Sequence, residues 1–254
     1  MSNNITIAII LGLASSLTLA QSSFQGFYSQ VATGYEVNNA SSLNGVVAVS
    51  PGGVDNTNQL LASNQNFAGL PLVLGLGYNF SVSPKWLLGL GVDYSVLSNN
   101  SSNYSYTNKG TSTPDGALLN GAQLKASNRF NLFITPGYSI DRDKLIYAKA
   151  GYSSVKIEAQ APTSYSIPGY ANIPWGTKFP QNQTSTLSGF MLGLGYKQMI
   201  GSGIYGFAEA NYMSYGNATV TQTGSSGSTR PTTNLSSAIS LNSYQFLLGL
   251  GYKF

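Results

Sequence analysis

Four stretches of the sequence repeat one pattern, in which a large apolar residue alternates with glycine or a polar residue. They are LVLGLGYNF at residues 72–80, LLGLGVDYS at 87–95, MLGLGYKQ at 191–198 and LLGLGYKF at 247–254. A period of two is the period of a β-strand, and it puts the bulk of each stretch on one face. A helix is disfavoured because each internal glycine would cost about 1 kcal/mol relative to alanine. The chain is therefore expected to form strands with one apolar face.

Extending these stretches along the chain predicts eight strands, joined alternately by long and short connections. The strands are expected near residues 24–38, 67–80, 86–98, 123–140, 145–159, 185–200, 203–222 and 236–254. The connections at 40–66, 99–122, 161–184 and 224–235 are long, whereas 81–85, 141–144 and 201–202 are tight turns. With antiparallel neighbours, the long loops leave one rim and the short turns leave the other. This asymmetry is typical of an outer-membrane barrel with long extracellular loops and short periplasmic turns.

The apolar face of these strands is expected to contact lipid, and the other face to line a barrel. A soluble barrel would turn its leucines inward and expose a glycine surface with hardly any charge, which is poorly suited to water. In a bilayer the arrangement is inverted, and the sheet must close because an open edge in hydrocarbon leaves backbone groups unpaired. The predicted fold is an all-β, eight-stranded antiparallel up-and-down transmembrane β-barrel with four long extracellular loops and three short periplasmic turns.

Two strands fit this pattern less well. LIYAKAGYSS and IYGFAEANYM place alanine or glycine on the face assigned to lipid, so their orientation depends on keeping Lys149 and Glu209 out of the hydrocarbon. Aromatic residues near the ends of the apolar runs are expected to form girdles at the level of the lipid headgroups. These are Tyr28, Tyr35, Tyr78, Trp86, Tyr94, Tyr138, Tyr152, Tyr196, Tyr212 and Tyr252.

The composition excludes several classes of function. Charged residues make up 8% of the chain, against about 25% in soluble domains. The net charge of +4 comes from scattered residues without a Lys/Arg run, so nucleic acid is not a predicted partner. The absence of cysteine and histidine removes thiol nucleophiles, the usual zinc sites and Ser-His-Asp triads. No catalytic, cofactor-binding or metal site is predicted.

The N-terminus is typical of a secretory signal peptide. Residues 1–20 carry an apolar run from Ile5 that ends in the small-residue pattern Thr18-Leu19-Ala20, so cleavage is expected before Gln21. The alternative is an uncleaved anchor helix, but the run is shorter than the roughly 20 apolar residues that a span requires. The barrel domain is then residues 21–254, and no later segment is long and apolar enough to form a transmembrane helix.

Charges on the inward face are expected to pair, because side chains fill the interior of an eight-stranded barrel. The candidates for this lumenal ion-pair network are Asp93, Arg129, Lys149, Lys197, Glu209 and Glu36. The network has two interpretations. In the first it neutralises and plugs the barrel, since breaking a buried pair costs about 3–5 kcal/mol. In the second it lines a gated, narrow ion path.

Eight strands, a signal sequence and a last strand that ends in FLLGLGYKF resemble the small OmpA/OmpX/Opa-type outer-membrane β-barrels of Gram-negative bacteria. YAKAGYS at 147–153 is also similar to the fifth strand of that family. In the family the barrel-insertion machinery reads the last strand, so the resemblance implies this role for Phe246, Leu248, Leu250, Tyr252 and Phe254. The resemblance is to members without a peptidoglycan-binding domain, so none is expected here. The resemblance implies an outer-membrane location, with membrane lipid and the assembly machinery as partners.

Three classes of function were compared. The leading hypothesis is a non-enzymatic surface protein that contributes to envelope integrity or to adhesion through its loops, with a host or neighbouring-cell ligand as partner. The most distinctive loop, SYSIPGYANIPWG at 164–176, offers Tyr165, Tyr170 and Trp175 as contacts, unless these rings only pack on other loops. The alternative is a narrow porin-like channel for ions or small solutes. A membrane enzyme is disfavoured because known barrel lipases, lipid deacylases and proteases depend on a histidine that this chain lacks, and no group of Ser, Asp or Glu in the loops suggests a mechanism without one.

Overall fold

The computed structural model describes residues 22–50, 56–110, 116–166, 173–174, 181–225 and 232–254. This part of the chain contains no helix long and apolar enough to cross a membrane. The predicted signal peptide lies outside the described residues. The strands, in chain order, are β1 (Gly26–Ser41), β2 (Gly45–Ser50), β3 (Asn56–Leu61), β4 (Gln65–Gly69), β5 (Leu72–Ser81), β6 (Trp86–Ser95), β7 (Asn99–Asn100), β8 (Tyr104–Lys109), β9 (Leu118–Asp141), β10 (Lys144–Gln160), β11 (Ser164–Ser166), β12 (Ile173–Pro174), β13 (Gln183–Met199), β14 (Ile204–Tyr215), β15 (Ala218–Ser225) and β16 (Thr232–Lys253).

Eight long strands close into an antiparallel ring. In chain order they are β1, β5, β6, β9, β10, β13, β14 and β16, and each pairs with the next. The last strand pairs back with the first, so that Val31 lies opposite Leu74 on one side and opposite Leu250 on the other. Every strand of the ring therefore has two hydrogen-bonded neighbours. The predicted eight-stranded up-and-down barrel is confirmed.

Three short turns lie at one end of the ring, which we call the short-turn rim. The amides of Val82 and Ser83 both donate to the carbonyl of Trp86, and the amide of Ile200 donates to the carbonyl of Ile204. In the third turn the Lys144 ammonium donates to Asp141 across 3.0 Å, and this hydrogen bond lowers the pKa of the exposed Asp141 carboxyl. These are the three turns that the sequence predicts.

At the other end the strands continue into segments that the sequence assigns to loops. β2 pairs with β16 and β3, β3 pairs with β8, β8 pairs with β9, and β15 pairs with β16. β9 has 24 residues, whereas a strand needs about 9–11 residues to cross a bilayer. The predicted loop boundaries were therefore wrong, since much of the connections at 40–66 and 99–122, and parts of the other two, is strand. We call β2, β3, β8 and β15, with the parts of β9, β10, β13 and β16 around them, the extension.

The outward face carries an apolar band between the short-turn rim and the extension. Its exposed members include Leu76, Leu90, Ile134, Leu194 and Leu248. Aromatic residues bound it on both sides: Phe27, Phe80, Trp86, Tyr252 and Phe254 on the side of the short turns, and Tyr35, Tyr94, Phe130, Tyr152, Phe190 and Tyr244 on the side of the extension. An apolar belt between two aromatic girdles is the expected outer surface of a barrel in a bilayer.

A bulge in β9 reverses its alternation where the band meets the extension. Asn128 has φ = 50°, and the pairing of β9 with β10 shifts register between Ser154 and Lys156. Asparagine tolerates this left-handed conformation better than most residues. Leu124 and Ala126 are buried before the bulge, and Arg129 is buried after it. One extra residue thus lets both halves of the strand keep their intended face inward.

The interior of the extension is apolar. A cluster of buried side chains from every long strand around it fills the space, including Leu43, Leu60, Leu124, Val155, Ile157, Leu187, Met213, Ile239 and Leu241. Tyr104 and Tyr106 join this cluster and share a hydrogen bond of 3.1 Å between their hydroxyl groups. Burial raises the pKa of both phenols above the ordinary value for tyrosine.

Candidate functional site in the barrel lumen

Within the apolar band, the inward face holds the buried charges. The described residues with a buried charge are three acids and three bases, Glu36, Asp93, Glu209, Arg129, Lys149 and Lys197. They are the six that the sequence assigns to the lumen, and they come from six different strands of the ring. Their formal charges cancel. Inside the barrel they form two ion-pair layers and one separate ammonium group.

The middle layer is centred on Lys149. Its Nζ atom lies 2.7 Å from Asp93 Oδ2 and 2.9 Å from Glu209 Oε1. The ring of Phe133 lies beneath the ammonium group at 3.9 Å. Lys149 is 2% exposed, so the two carboxylates replace water as its partners. A buried cation requires such compensation, because its desolvation is otherwise far too costly.

Amides and one phenol hold the two carboxylates of this layer in place. Asn131 Nδ2 donates to Asp93 across 2.5 Å, and Asn211 Nδ2 donates to Glu209 across 2.7 Å. The hydroxyl of Tyr147 donates to the second oxygen of Glu209 across 2.7 Å. The carboxylates are thus fixed by side chains from their own and other strands as well as by Lys149. The carboxylates and the ammonium group have their partners, whereas the side-chain oxygens of Asn131 and Asn211 are buried without a hydrogen bond.

The upper layer, nearer the extension, pairs Arg129 with Glu36. Arg129 also donates to Tyr215 across 2.8 Å and to Asn38 and Ser243 across 3.0 Å each. Further donors to the Glu36 carboxylate are Asn38, Asn99 and Gln245. The guanidinium fork and the carboxylate therefore have most of their hydrogen-bonding capacity satisfied inside the protein.

Lys197 lies nearer the short-turn rim and is not in either ion-pair layer. Its Nζ atom donates to Gln30 Oε1 across 3.2 Å, and no salt bridge joins it to a carboxylate of the described residues. Aromatic rings surround it instead, with centroids at 4.2 Å for Tyr28, 5.0 Å for Tyr205 and 5.1 Å for Tyr147. The structure thus places Lys197 in the lumen but does not bring it to a pairing distance from an acid. Cation–π attraction takes the place of an ion pair.

Inward glycines make room for these rings. A Cβ atom on Gly195 would lie 2.2 Å from the ring of Tyr147, and one on Gly251 would lie 2.2 Å from the ring of Tyr205. Tyr28 is one of the inward rings, at 3% exposure, so its predicted place in the outer girdle was wrong. The alternation of leucine with glycine therefore has a second cause, since glycine leaves the lumen free for aromatic rings of neighbouring strands.

The lumen is closed by apolar side chains at the short-turn rim. Phe24 lies inside the barrel at 1% exposure, with its ring centroid 5.9 Å from that of Tyr205, and Leu87 and Leu145 belong to the same cluster. The segment before β1 is fixed there, since the Asn79 amide donates to the carbonyl of Phe24 across 2.9 Å. Sequence reasoning missed this closure, because it placed Phe24 in the first strand, whereas β1 begins at Gly26.

The predicted assembly signal lies on the outward face of β16. Phe246, Leu248, Leu250, Tyr252 and Phe254 are all exposed there. β16 ends at Lys253, and the amide of Phe254 donates to the carbonyl of Phe27 across 2.9 Å.

Of the predicted loop contacts, only Tyr165 belongs to the described residues. It is half-buried in β11, where it pairs with Leu119 of β9 and with Ile173 of β12. Tyr170 and Trp175 lie outside the described residues. In the part of the chain that the structure describes, no group of three or more acidic side chains is arranged to hold a metal ion.

Comparison with known proteins agrees with this architecture. A family model for the outer membrane protein beta-barrel domain matches residues 6–254. Among solved structures the chain is similar to the outer membrane protease OmpT of Escherichia coli, with 12% identity, a TM-score of 0.51, and coverage of 95% of this chain and 99% of that one. It is also similar to the outer membrane protein OprG of Pseudomonas aeruginosa, with 15% identity, a TM-score of 0.48, and coverage of 92% of this chain and 98% of that one. A third similar structure is Ail, the attachment invasion locus protein of Yersinia pestis, with 13% identity, a TM-score of 0.37, and coverage of 91% of this chain and 99% of that one. These identities show the fold alone. A search of curated protein sequences finds no match.

Proposed function

Because this chain belongs to the outer membrane protein beta-barrel domain family, we propose that it is a non-enzymatic surface protein of the Gram-negative outer membrane. In this proposal a filled barrel anchors the extension and its loops on the outside of the cell. The protein then serves envelope integrity, or attachment to a host or neighbouring cell.

The observation that supports this function most strongly is the burial of the lumenal charges. Glu36, Lys149 and Arg129 are 2–3% exposed, and each is paired with an opposite charge inside the protein. Side chains that line a water-filled path would be exposed to it, and eight-stranded barrels are narrow enough for side chains to fill. Apolar clusters lie beyond the charges in both directions. The ion pairs therefore act as a plug in this proposal, and the narrow channel is the alternative that the plug argues against.

The surface of the extension favours uncharged contacts. Its outward positions on β15 and β16 carry residues such as Thr219, Thr221, Ser236 and Asn242. Outer-membrane barrels have their long loops on the extracellular side, so this surface is expected to face outward from the cell. Hydroxyl and amide groups can bind sugars or polar peptide surfaces by hydrogen bonds, whereas electrostatic attraction of a polyanion is not expected.

During assembly, the proposed partner of the chain is the barrel-insertion machinery. The five exposed side chains at the end of β16 would supply the signal that this machinery reads. Lipid is the partner of the same surface after insertion.

Planar-bilayer recording tests the plug against the channel. We expect no current through the wild type, and none through Glu209→Gln, whose heat-modifiable migration on a gel should be lost at a lower temperature. Glu158→Gln is the control, because it removes the same charge from the half-buried Glu158 of the extension. Stepwise current through the wild type that changes in Glu209→Gln but not in Glu158→Gln would overturn the proposal in favour of a channel.

The role of the loops requires a second experiment. Cells that display the wild type are compared with cells in which residues 164–180 are replaced by a Gly-Ser linker of equal length. Reduced attachment with unchanged heat-modifiable migration supports an adhesive role. Equal attachment, together with a more permeable envelope in cells that lack the barrel, supports the structural role.

A further inference from the structure

The outward face of the band has a groove where two strands lack large side chains. Ala148 of β10 and Ala208 and Ala210 of β14 lie on either side of β13, whose outward residues include Leu194. Together with Ile146 and Phe246, these residues line a groove of about 650 Å³ that opens to the membrane. The lining is almost entirely apolar. A hydrocarbon chain is therefore a more favourable occupant of the groove than water.

An aromatic pair and a lysine lie at the short-turn end of this groove. Trp86 and Tyr138 both line it, with ring centroids 5.2 Å apart. The Nζ atom of Lys85 lies 5.8 Å from the centroid of the Tyr138 ring. Lys85 is exposed and forms no salt bridge with any described residue. The acids of the neighbouring turn have other partners, since Asp141 pairs with Lys144 and Asp143 accepts a hydrogen bond from Ser23.

We propose that this groove binds an anionic glycerophospholipid of the periplasmic leaflet. One acyl chain lies over Ala148 between the walls of the groove, and the phosphate lies at the ammonium group of Lys85, beside the Trp86–Tyr138 pair. Along the groove, apolar walls are followed by aromatic rings and then by an unpaired cation. This order matches the acyl chain, glycerol and phosphate of such a lipid. The short turns of outer-membrane barrels are periplasmic, so the lysine lies on the side of the phospholipid leaflet.

A second copy of the protein fits this surface less well. Two copies in one membrane share the same orientation, so a two-fold axis through the groove would bring both Lys85 side chains to the same rim of the interface. Like charges in that position oppose association. A lipid phosphate provides the opposite charge that the lysine lacks among the described residues.

Fluorescence quenching tests the proposal on the full mature chain in nanodiscs. The chain has two tryptophans, so Trp175→Phe leaves Trp86, which lines the groove, as the single emitter. The nanodiscs contain phosphatidylglycerol and phosphatidylethanolamine. In one sample only the phosphatidylglycerol carries bromine atoms near the glycerol end of its acyl chains, and in the other only the phosphatidylethanolamine does. We expect quenching to report a preference of about five-fold for phosphatidylglycerol, the effect of about one lysine at a membrane surface.

Two substitutions and two matched controls locate the site. Lys85→Gln should abolish the preference, and Ala148→Leu, which fills the groove, should reduce it. Lys156→Gln removes an exposed lysine of the extension, and Val31→Leu enlarges an outward residue of β1, away from the groove. Both controls should keep the five-fold preference. Free inorganic phosphate should not compete, because it lacks the acyl chain.

Equal quenching by the two brominated lipids would overturn the proposal, as would a preference that persists in Lys85→Gln. A disulfide-linked dimer of the Ala148→Cys variant, together with weak quenching by both lipids, would overturn the proposal in favour of a second copy that covers the groove.

Discussion

The two halves of β16 use the same alternation in opposite ways. In the extension its inward residues are apolar, as at Ile239 and Leu241, and its outward residues are Ala, Ser and Asn. From Ser243 onward the inward positions are Ser, Gln, Gly and Lys apart from the buried Leu247, and the outward positions become Tyr244, Phe246 and the residues that follow. The backbone pairing with β1 and β14 continues through this point without a shift of register. The apolar face of the strand is therefore the inward one in the extension and the outward one in the band, while the backbone pairing of the barrel stays the same.

This difference also explains why the two interiors are held together by different forces. In the band, lipid covers the apolar face, so the lumen needs only to be filled and hydrogen-bonded. The extension lies in water, so its interior must provide the apolar burial that stabilises it. Lys149 with its two carboxylates represents the first kind of interior, and Ile239 represents the second.

The largest effect is expected from removing the cation of the middle layer. Lys149→Gln leaves Asp93 and Glu209 as adjacent buried acids without a counter-charge, and should lower the free energy of unfolding by about 3–5 kcal/mol. Urea titration in detergent, read by heat-modifiable migration, measures this change. Lys156→Gln, on the same strand but exposed, should change stability by less than about 0.5 kcal/mol. Equal midpoints for the two variants would contradict the view that ion pairs hold the lumen of the band.

In the extension the corresponding loss comes from an apolar side chain. Ile239 is 1% exposed and packs in the cluster that fills the extension, so Ile239→Ala should destabilise it by about 2–5 kcal/mol. The measurement is thermal unfolding followed by near-ultraviolet circular dichroism. Val46→Ala is the control, because Val46 is exposed on β2 of the same region. If both variants lose the same stability, the interior of the extension is not a packed core.

A charge on the outward face distinguishes the surroundings of the two halves directly. Leu248→Arg places a cation in the middle of the apolar band and should cost about 2–4 kcal/mol in lipid vesicles. Thr219→Arg puts the same side chain on the exposed face of β15 and should cost less than about 0.5 kcal/mol. Reversible folding into vesicles measures both. An equal cost at the two sites would show that both halves meet the same solvent.

The sequence was sufficient for the band because the bilayer demands a regular outward row of large apolar residues. The runs around Leu74, Leu90, Leu194 and Leu250 show this row directly, and they led to the eight strands of the ring. In the extension the outward residues are small and polar, and the inward ones are widely spaced. NTNQLL at 56–61 is an example, in which the inward residues Asn58 and Leu60 are flanked by asparagine, threonine and glutamine. Such a segment has the composition of a loop, so its strand structure was missed.

For the lumen, alternation along each strand was enough to assign six charged residues to the inward face. Their contacts depend on the stagger between strands, which a single sequence does not reveal. Lys149 and Lys197 illustrate the limit, since both are inward lysines on neighbouring strands, yet one lies between two carboxylates and the other among tyrosine rings. The bulge at Asn128 adds a second obstacle, because strict alternation cannot be continued through it.

The smallest predicted effect concerns alkaline pH in the extension. Burial raises the pKa of Tyr104 and Tyr106, so above about pH 10 the unfolded chain ionises these phenols while the folded barrel keeps them protonated. The folded state then binds more protons, and stability falls as pH rises by at most about 1.4 kcal/mol per pH unit for each tyrosine. Unfolding measured from pH 8 to pH 11 should show this decline in the wild type, a smaller one in Tyr104→Phe, and the smallest in the double variant with Tyr106→Phe. Equal declines in all three proteins would mean that water reaches this pair, and that the interior of the extension is less dry than its apolar packing requires.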